Sequence, residues 1–473
     1  MLTPATPETL ADLRAAMPAA TFKDDTAPYL TEPRGRWQGA GIVVAPAATQ
    51  EVAQIVSYCN ERHIAVVPYG GGTGLVGGQL MGDGPAPLVL SLERMNRIRD
   101  IYPRENVLVA EAGVILAEIQ TAAADIGRLF PLSLASEGSA RIGGLLATNA
   151  GGVNVLRYGN ARAQCLGLEV VRSDGTIWHG LTRLRKDNTG YDLRDLMIGA
   201  EGTLGIITAA ALRLMPQPQG VSAALMAVPT PSDALDLLSM AQDQIGDGLS
   251  AFELINRQGI DFLAEVGPDI KRPFAVQPEW MVLVDIGLSA GISPDNALEN
   301  LFESALEAGL VTDGVIARSA ADRDAFWHIR ESIPEANRRI GSVSSHDISL
   351  PLGRVPDFIA QGREKINEIG NFRINCFGHL GDGNLHYNIF PLQGESRADH
   401  DDKRDLVKRT LHDLTASMGG SVSAEHGIGR LKVADLERYA DPAKLAMMRA
   451  IKSALDPNGI MNPGAVLRNL MLD

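Results

Sequence analysis

Two hydrophobic rhythms alternate along this chain. Residues 42–46 (Ile-Val-Val-Ala-Pro) and 63–68 (His-Ile-Ala-Val-Val-Pro) are short apolar runs bounded by turn formers, the pattern of buried strands. Between them Val52, Ile55, Val56 and Cys59 recur at helical spacing and predict a helix from 49 to about 62. The second run leads into Tyr69-Gly70-Gly71-Gly72-Thr73-Gly74-Leu75-Val76-Gly77-Gly78. So dense a glycine loop lets backbone N–H groups converge on an anion, which suits a pyrophosphate. Gly72 to Gly77 has the Gly-x-Gly-x-x-Gly spacing, but that fingerprint requires a helix to open at the loop. The residues that follow, 79–85 (Gln-Leu-Met-Gly-Asp-Gly-Pro), cannot form one. The nicotinamide reading fails, and a phosphate cradle of another type remains.

The same punctuation returns twice. A second glycine cluster spans 137–152, followed by Arg157-Tyr158-Gly159-Asn160, a strand at 166–171 and a turn at 173–176. Polar residues 188–193 and the run 199–208 (Gly-Ala-Glu-Gly-Thr-Leu-Gly-Ile-Ile-Thr) complete this half. Three loops rich in Gly, Ser, Thr and Asn among β segments would wrap a long ligand such as a dinucleotide. Pro216-Gln217-Pro218 then breaks the chain. Two strand–helix–strand segments follow: strands at 223–228 and 251–255 around a helix at 233–244, then a strand at 280–285 with a helix at 295–308.

Near the end comes Gly378-His379-Leu380-Gly381-Asp382-Gly383-Asn384-Leu385-His386-Tyr387-Asn388. Asp-Gly between β-type flanks predicts a two-residue hairpin turn. With Asp382-Gly383 at the turn, Gly381 faces Asn384, Leu380 faces Leu385 and His379 faces His386. Opposed residues have Cβ atoms about 5 Å apart, close enough for two imidazoles to share a divalent ion. Ser423-Ala424-Glu425-His426-Gly427-Ile428-Gly429 adds a carboxylate and a third imidazole. Two His, one Glu and an open position form the donor set of a catalytic rather than a structural metal site. Asn388, two residues beyond His386, shares its face on a strand.

Composition narrows the class. At 473 residues the chain is too long for one hydrophobic core, so two or three domains are expected. A net charge of -14 argues against a nucleic-acid or anionic-membrane surface. A local arginine or metal ion still admits a small anionic substrate. Cys59, Cys165 and Cys376 form no Cys-x-x-Cys pair, which suits a reducing compartment and offers no iron–sulfur or zinc-finger framework. Residues 1–8 carry neither a basic n-region nor an apolar h-region. No apolar run nears the roughly 18 residues that a membrane span needs. The expected location is cytoplasmic.

These loops and motifs resemble a known superfamily. Residues from about 30 to 217 resemble the PCMH-type flavin domain of the vanillyl-alcohol-oxidase-type flavoproteins. The Gly-His-Leu-Gly-Asp-Gly-Asn and Ser-Ala-Glu-His-Gly-Ile-Gly motifs resemble one branch, the FAD-dependent D-2-hydroxyacid dehydrogenases. That branch includes D-lactate and D-2-hydroxyglutarate dehydrogenases and the glycolate oxidase flavoprotein subunit. The resemblance implies an α+β fold in three parts: a two-subdomain FAD-binding domain at 1–217, a ferredoxin-like cap with the metal hairpin at 218–422, and a helical segment at 423–473 that returns to the flavin.

It also implies residues. FAD contacts fall on Pro68, Gly70, Gly71, Gly72, Thr73, Gly74, Gly77 and Gly78 in the first loop. In the second they are Ser136, Glu137, Gly138, Gly143, Gly144, Thr148, Asn149, Gly151, Gly152, Tyr158 and Gly159. Glu201, Gly202, Gly205, Ile206 and Ile207 follow, and Asn462 would reach the flavin ring. Some members attach FAD covalently through a His or Cys, often in the first loop. Thr73 stands at that position here, and no other His or Cys lies in the glycine loops, so FAD is expected to bind non-covalently.

His379, His386 and Glu425 would hold a divalent ion, zinc first, with manganese, iron and cobalt open. His426 would be the general base as hydride passes from C2 to flavin N5, giving the 2-oxoacid. Arg330 matches the family arginine that grips the substrate carboxylate, with Asn388 and His346 as further substrate contacts. Hydroxyglutarate-type enzymes usually carry a lysine where this chain has Ser345, which weakens a hydroxyglutarate assignment and leaves D-lactate, D-2-hydroxyglutarate and D-malate types open. The electron acceptor stays open between a quinone, a cytochrome and an electron-transfer flavoprotein, and a homodimer is an option. Rival readings are a flavin oxidase using oxygen, a metallohydrolase, and a non-catalytic flavoprotein subunit of a glycolate-oxidase-like complex.

Overall fold

Short β-branched runs seed the first of two units. The computed structural model describes residues 1–468 apart from 36, 269 and 271, so the end of the expected C-terminal segment lies outside the described residues. The first unit gathers Met1–Gly152, Gly159–Gln217 and Glu425–Asp473. Ile42–Val44 (β1), Val66–Tyr69 (β2) and Leu88–Ser91 (β3) form a parallel sheet in the order β1-β3-β2. Helix α1, Thr49–Glu61, packs Val52, Ile55, Val56 and Cys59 into the same core.

The larger sheet of this unit is antiparallel. It contains Ile98–Tyr102 (β4), Val107–Glu111 (β5), Cys165–Val171 (β6), Ile177–Gly180 (β7) and Ile206–Arg213 (β8), in the order β4-β5-β8-β6-β7. The C-terminal stretch carries two helices, Val433–Tyr439 and Pro442–Leu455, and then joins the small sheet. Val66 N–H bonds Ile460 O at 2.8 Å, and Asn462 N–H bonds Val66 O at 2.8 Å. Buried Asp456 prepares this strand-like run by accepting the N–H groups of Ile460 and Met461 at 3.1 and 2.9 Å.

The second unit holds Pro218–Ala424 and, with no sequence signal for it, Val153–Tyr158. Arg157 ties that short excursion down through Ser250 Oγ at 3.0 Å and Gly287 O at 2.7 Å. The sheet has seven strands: Gly220–Val228 (β9), Leu249–Asn256 (β10), Trp280–Leu288 (β11), Asp313–Ile316 (β12), Asp347–Ser349 (β13), Arg373–His379 (β14) and Asn384–Phe390 (β15). Their order is β12-β9-β11-β10-β14-β15-β13, and every pairing is antiparallel. Helices are Pro231–Ile245 (α2), Arg257–Val266 (α3), Pro294–Glu307 (α4), Ala320–Ile340 (α5), Val355–Ile369 (α6) and Arg404–Ser417 (α7).

Strands β9 to β12 with α2 and α4 trace the β-α-β-β-α-β path of a ferredoxin-like fold, and β13 to β15 extend it. Side chains alternate across this sheet and divide its core. Ala224, Met226, Leu254, Val282 and Val284 face α2, α4, α6 and α7. Leu225, Ile255, Met281, Leu283, Phe377 and Phe390 face α3 and α5.

Helix α5 docks through polar as well as apolar groups. Arg323, Trp327 and Arg330 recur three and four residues apart and so share one helix face. Buried Asp285 Oδ2 accepts Arg323 Nε and Trp327 Nε1, each at 2.8 Å. Asp285→Ala strips both donors of their acceptor. It should lower the stability of the second unit by about 3 kcal/mol, measured as an earlier urea unfolding transition; an unchanged midpoint would show that the contact is dispensable.

Candidate active site

The predicted hairpin forms with a different turn. Leu380–Asp382 makes a turn of 3-10 helix, closed by Gly383 in the left-handed region at φ 80°. A Cβ at Gly383 would lie 2.2 Å from Leu350 O, so only glycine fits. Asp382 Oδ1 accepts Asn384 N–H at 3.1 Å, and Gly383 N–H reaches Leu380 O at 3.2 Å. These local bonds favour the longer turn and move the register by two residues. His386 therefore faces Phe377 rather than His379. A slip of two preserves side-chain parity, so both imidazoles still share a face, with ring centroids 5.7 Å apart.

Two carboxylates join that face. Asp347 on β13 stands opposite His386, its Oδ1 accepting Asn384 Nδ2 at 3.0 Å. Glu253 on β10 stands opposite His379 and is fully buried. Its Oε1 lies 2.6 Å from His379 Nδ1, and its Oε2 accepts Arg330 Nε at 2.8 Å. Burial alone would raise the Glu253 carboxyl, but His379 and Arg330 outweigh it and hold it at about 2. The Arg330 guanidinium also sits 4.7 Å over the Phe377 ring. Neither acid was singled out from sequence, although a lone charge in the run Phe252-Glu253-Leu254-Ile255 was a visible signal.

The other expected substrate contacts separate. Asn388 shares the His386 face, with its Oδ1 accepting His346 N–H at 3.1 Å. The His346 ring does not share it. Because Asp347 faces the imidazole pair, its neighbour points to the opposite side, where His346 meets the His412 ring of α7 at 5.2 Å.

In the first unit the three glycine loops converge. A Cβ on Gly70 would come within 3.3 Å of Gly144 Cα, and one on Gly71 within 2.3 Å of Ser139 O. Gly78 approaches Glu201 and Gly429 in the same way. Glu201, left-handed at φ 50°, donates its N–H to Ala147 O at 2.8 Å. Its carboxylate accepts Ile428 and Gly429 N–H at 2.7 Å each, while burial pushes the group above the ordinary carboxylate range.

Arg430, which sequence reasoning missed, donates to Gly77 O, Gly78 O and Asn462 Oδ1 at 3.1, 3.0 and 2.8 Å. Asn462 Nδ2 donates to Gly78 O and Glu201 O at 2.9 and 2.8 Å. Asn462, expected to reach the flavin ring, braces these loops through both ends of its amide. Glu137 is likewise tied locally, to Ser133 Oγ at 2.5 Å and Leu134 N–H at 3.2 Å. Tyr158 belongs to the excursion in the second unit. Glu425 and His426 open the returning stretch, joined by the peptide bond to Ala424, and stand 3.8 Å apart.

Comparison with known proteins agrees with this layout. Residues 40–180 match the family described as FAD binding domain, and 217–466 match FAD linked oxidases, C-terminal domain. The mitochondrial D-2-hydroxyglutarate dehydrogenase of Arabidopsis thaliana is 38% identical over 90% of this chain and 75% of its own length. The D-2-hydroxyglutarate dehydrogenase of Xanthomonas citri pv. viticola is 36% identical over 96% and 95%. The chain belongs to the FAD-dependent D-2-hydroxyacid dehydrogenases. Crystalline p-cresol methylhydroxylase shares the fold, with a TM-score of 0.74 over 100% of both chains at 17% identity.

The first unit suits the FAD that this family binds. Its loops bring bare backbone together at Gly70, Gly71, Gly78 and Gly144, and a Cβ at Gly138 would meet nothing within 4 Å. Backbone without Cβ atoms is what lets N–H groups approach a phosphate-bearing ligand closely. No helix among the described residues is long and apolar enough to cross a membrane. The Arabidopsis relative is named mitochondrial, so the comparisons do not carry the cytoplasmic expectation.

Glu253 makes folding pH-dependent. Its folded value of about 2 lies below the ordinary 4.5, so the ionised form stabilises fully above pH 4.5 and that contribution is lost as pH falls through about 2. The stability gap between wild type and Glu253→Gln should therefore stay flat above about pH 5 and shrink toward pH 2. Denaturant titrations across that range check it, and a gap independent of pH would contradict the ionised pair.

Proposed function

We propose that this enzyme oxidises a D-2-hydroxyacid to its 2-oxoacid, with D-2-hydroxyglutarate as first candidate. The observation that carries the reading is the single face of the second unit on which His379, His386, Asn388 and Arg330 meet. FAD, held non-covalently by the glycine loops of the first unit, would supply the hydride acceptor for substrate C2. A divalent ion held by His379, His386 and Glu425, zinc first, would supply Lewis-acid polarisation of the 2-hydroxyl. The donor set fits such an ion: two imidazoles on one face, with carboxylates alongside.

The remaining work falls to side chains. His426 takes the hydroxyl proton as general base. Arg330 commits only Nε to Glu253, which leaves its two terminal nitrogens for the substrate carboxylate among the described residues. Asn388 stands on the same face as a second carboxylate contact. His346, turned toward α7, takes no part.

A second substrate reading rests on Ser345, which is exposed and bonded to Ser342 at 2.6 Å. A neutral hydroxyl there offers a distal carboxylate no counter-charge, which favours D-lactate, whose side chain carries no second carboxylate. The relatives' names favour the hydroxyglutarate. The electron acceptor, whether quinone, cytochrome or electron-transfer flavoprotein, lies outside this reading.

Anaerobic bleaching of the flavin absorbance by D- and L-forms of lactate, malate and 2-hydroxyglutarate tests it, with and without chelator. Chelator-sensitive bleaching by one D-acid is expected. If FAD is present and no acid bleaches it, the chain is better read as a non-catalytic flavoprotein subunit. His426→Ala should retain FAD and slow flavin reduction by roughly a hundredfold in stopped-flow traces; unchanged rates would remove it from the role of base.

A further inference from the structure

Glu253 divides its two oxygens between two groups that the proposed reaction needs. Oε1 lies 2.6 Å from His379 Nδ1, and Oε2 lies 2.8 Å from Arg330 Nε. An ionised carboxylate only accepts hydrogen bonds, so Nδ1 must carry the proton in that contact. In the neutral ring the lone pair then falls on Nε2. Arg330 is a permanent donor, and the same carboxylate holds it by one edge above Phe377.

A purely structural role accounts poorly for this arrangement. The neighbours of Glu253 on β10, Ala251, Phe252, Leu254 and Ile255, are all buried and apolar. Replacing a buried ion pair with apolar residues of similar volume is often neutral or stabilising, so folding alone does not call for a carboxylate here. The adjacent acid Asp285 is occupied with Arg323 and Trp327 and does not compete for Arg330.

We propose that Glu253 is a positioning residue: it sets His379 in the Nδ1–H tautomer, which puts the lone pair for a metal ion on Nε2, and with its other oxygen orients Arg330. This rests on the roles given above to His379 and Arg330. It explains why one acid must meet both. A glutamine has a single acceptor oxygen, and Arg330 would claim it. The amide NH2 would then face His379 and require Nδ1 to accept, moving the ring proton to Nε2.

The test uses the full-length flavoprotein with ¹⁵N-labelled histidine, stripped of metal at about pH 8. Nitrogen shifts and two-bond couplings identify the protonated ring nitrogen, and loss of a signal in His379→Ala assigns it. Wild type should show Nδ1–H at His379, and Glu253→Gln should show Nε2–H. Zinc affinity, read by competition with a chromophoric chelator, should fall ten- to hundredfold in Glu253→Gln while FAD content and circular dichroism hold.

The Nε2–H form in wild type overturns the proposal by itself, with no need for the glutamine variant to fold. An unswitched tautomer in the variant also overturns it, as does zinc affinity within twofold of a zinc-binding wild type. If the tautomers behave as expected and neither protein binds zinc, Glu253 keeps its positioning role and the metal assignment falls instead.

Discussion

Side-chain alternation in the seven-stranded sheet of the second unit governs what can meet what. Each strand sends odd and even positions to opposite faces, and helices cover both. That rule gathers Glu253, Phe377, His379, His386, Asn388 and Asp347 on the side of α5. It also sends His346 to the side of α7. The two-residue slip in the hairpin turn changes which residues face each other and leaves this partition untouched.

Polar groups buried on such a face are costly unless every one finds a partner. For Asp285 and one oxygen of Glu253 the partners come from a single helix. Arg323 and Trp327 reach Asp285, and Arg330 reaches Glu253. Apolar contacts from Phe326, Ile329 and Ile333 hold the same helix against the sheet. Its rotation about its own axis is thus set twice over, once by packing and once by two carboxylates of opposite strand neighbours. A guanidinium held in this way gives up less side-chain entropy when it meets a second anion.

The first unit solves a different problem, which is to keep three backbone loops close without side chains in the way. Glycines allow the approach, and Glu201, Arg430 and Asn462 lock it. Each of these three polar side chains binds main-chain groups of another loop, so the loops are fastened through their backbones. Glu201 and Asn462, expected beside the cofactor, thus also serve as struts, since each satisfies main-chain groups of a neighbouring loop.

Much of the protein was legible in its sequence. Apolar periodicity located α1, α2 and α4, the glycine clusters marked the loops, and the histidine hairpin marked the imidazole pair. These features are local, carried by spacing within a dozen residues. The helices α3, α6 and α7 went unassigned, although their buried residues recur at helical spacing, as Val355, Phe358, Ile359, Gly362 and Ile366 do in α6. The hairpin register, the partners of Glu253, the turn of His346 toward α7 and the bracing by Arg430 also escaped. Each depends on which distant segment packs alongside: Glu253 meets a histidine 126 residues away and Arg430 meets a loop 352 residues away. Sequence settled which chemical groups the chain carries and their order, and the fold alone decided which of them share a face, since burial and hydrogen bonding are satisfied in three dimensions.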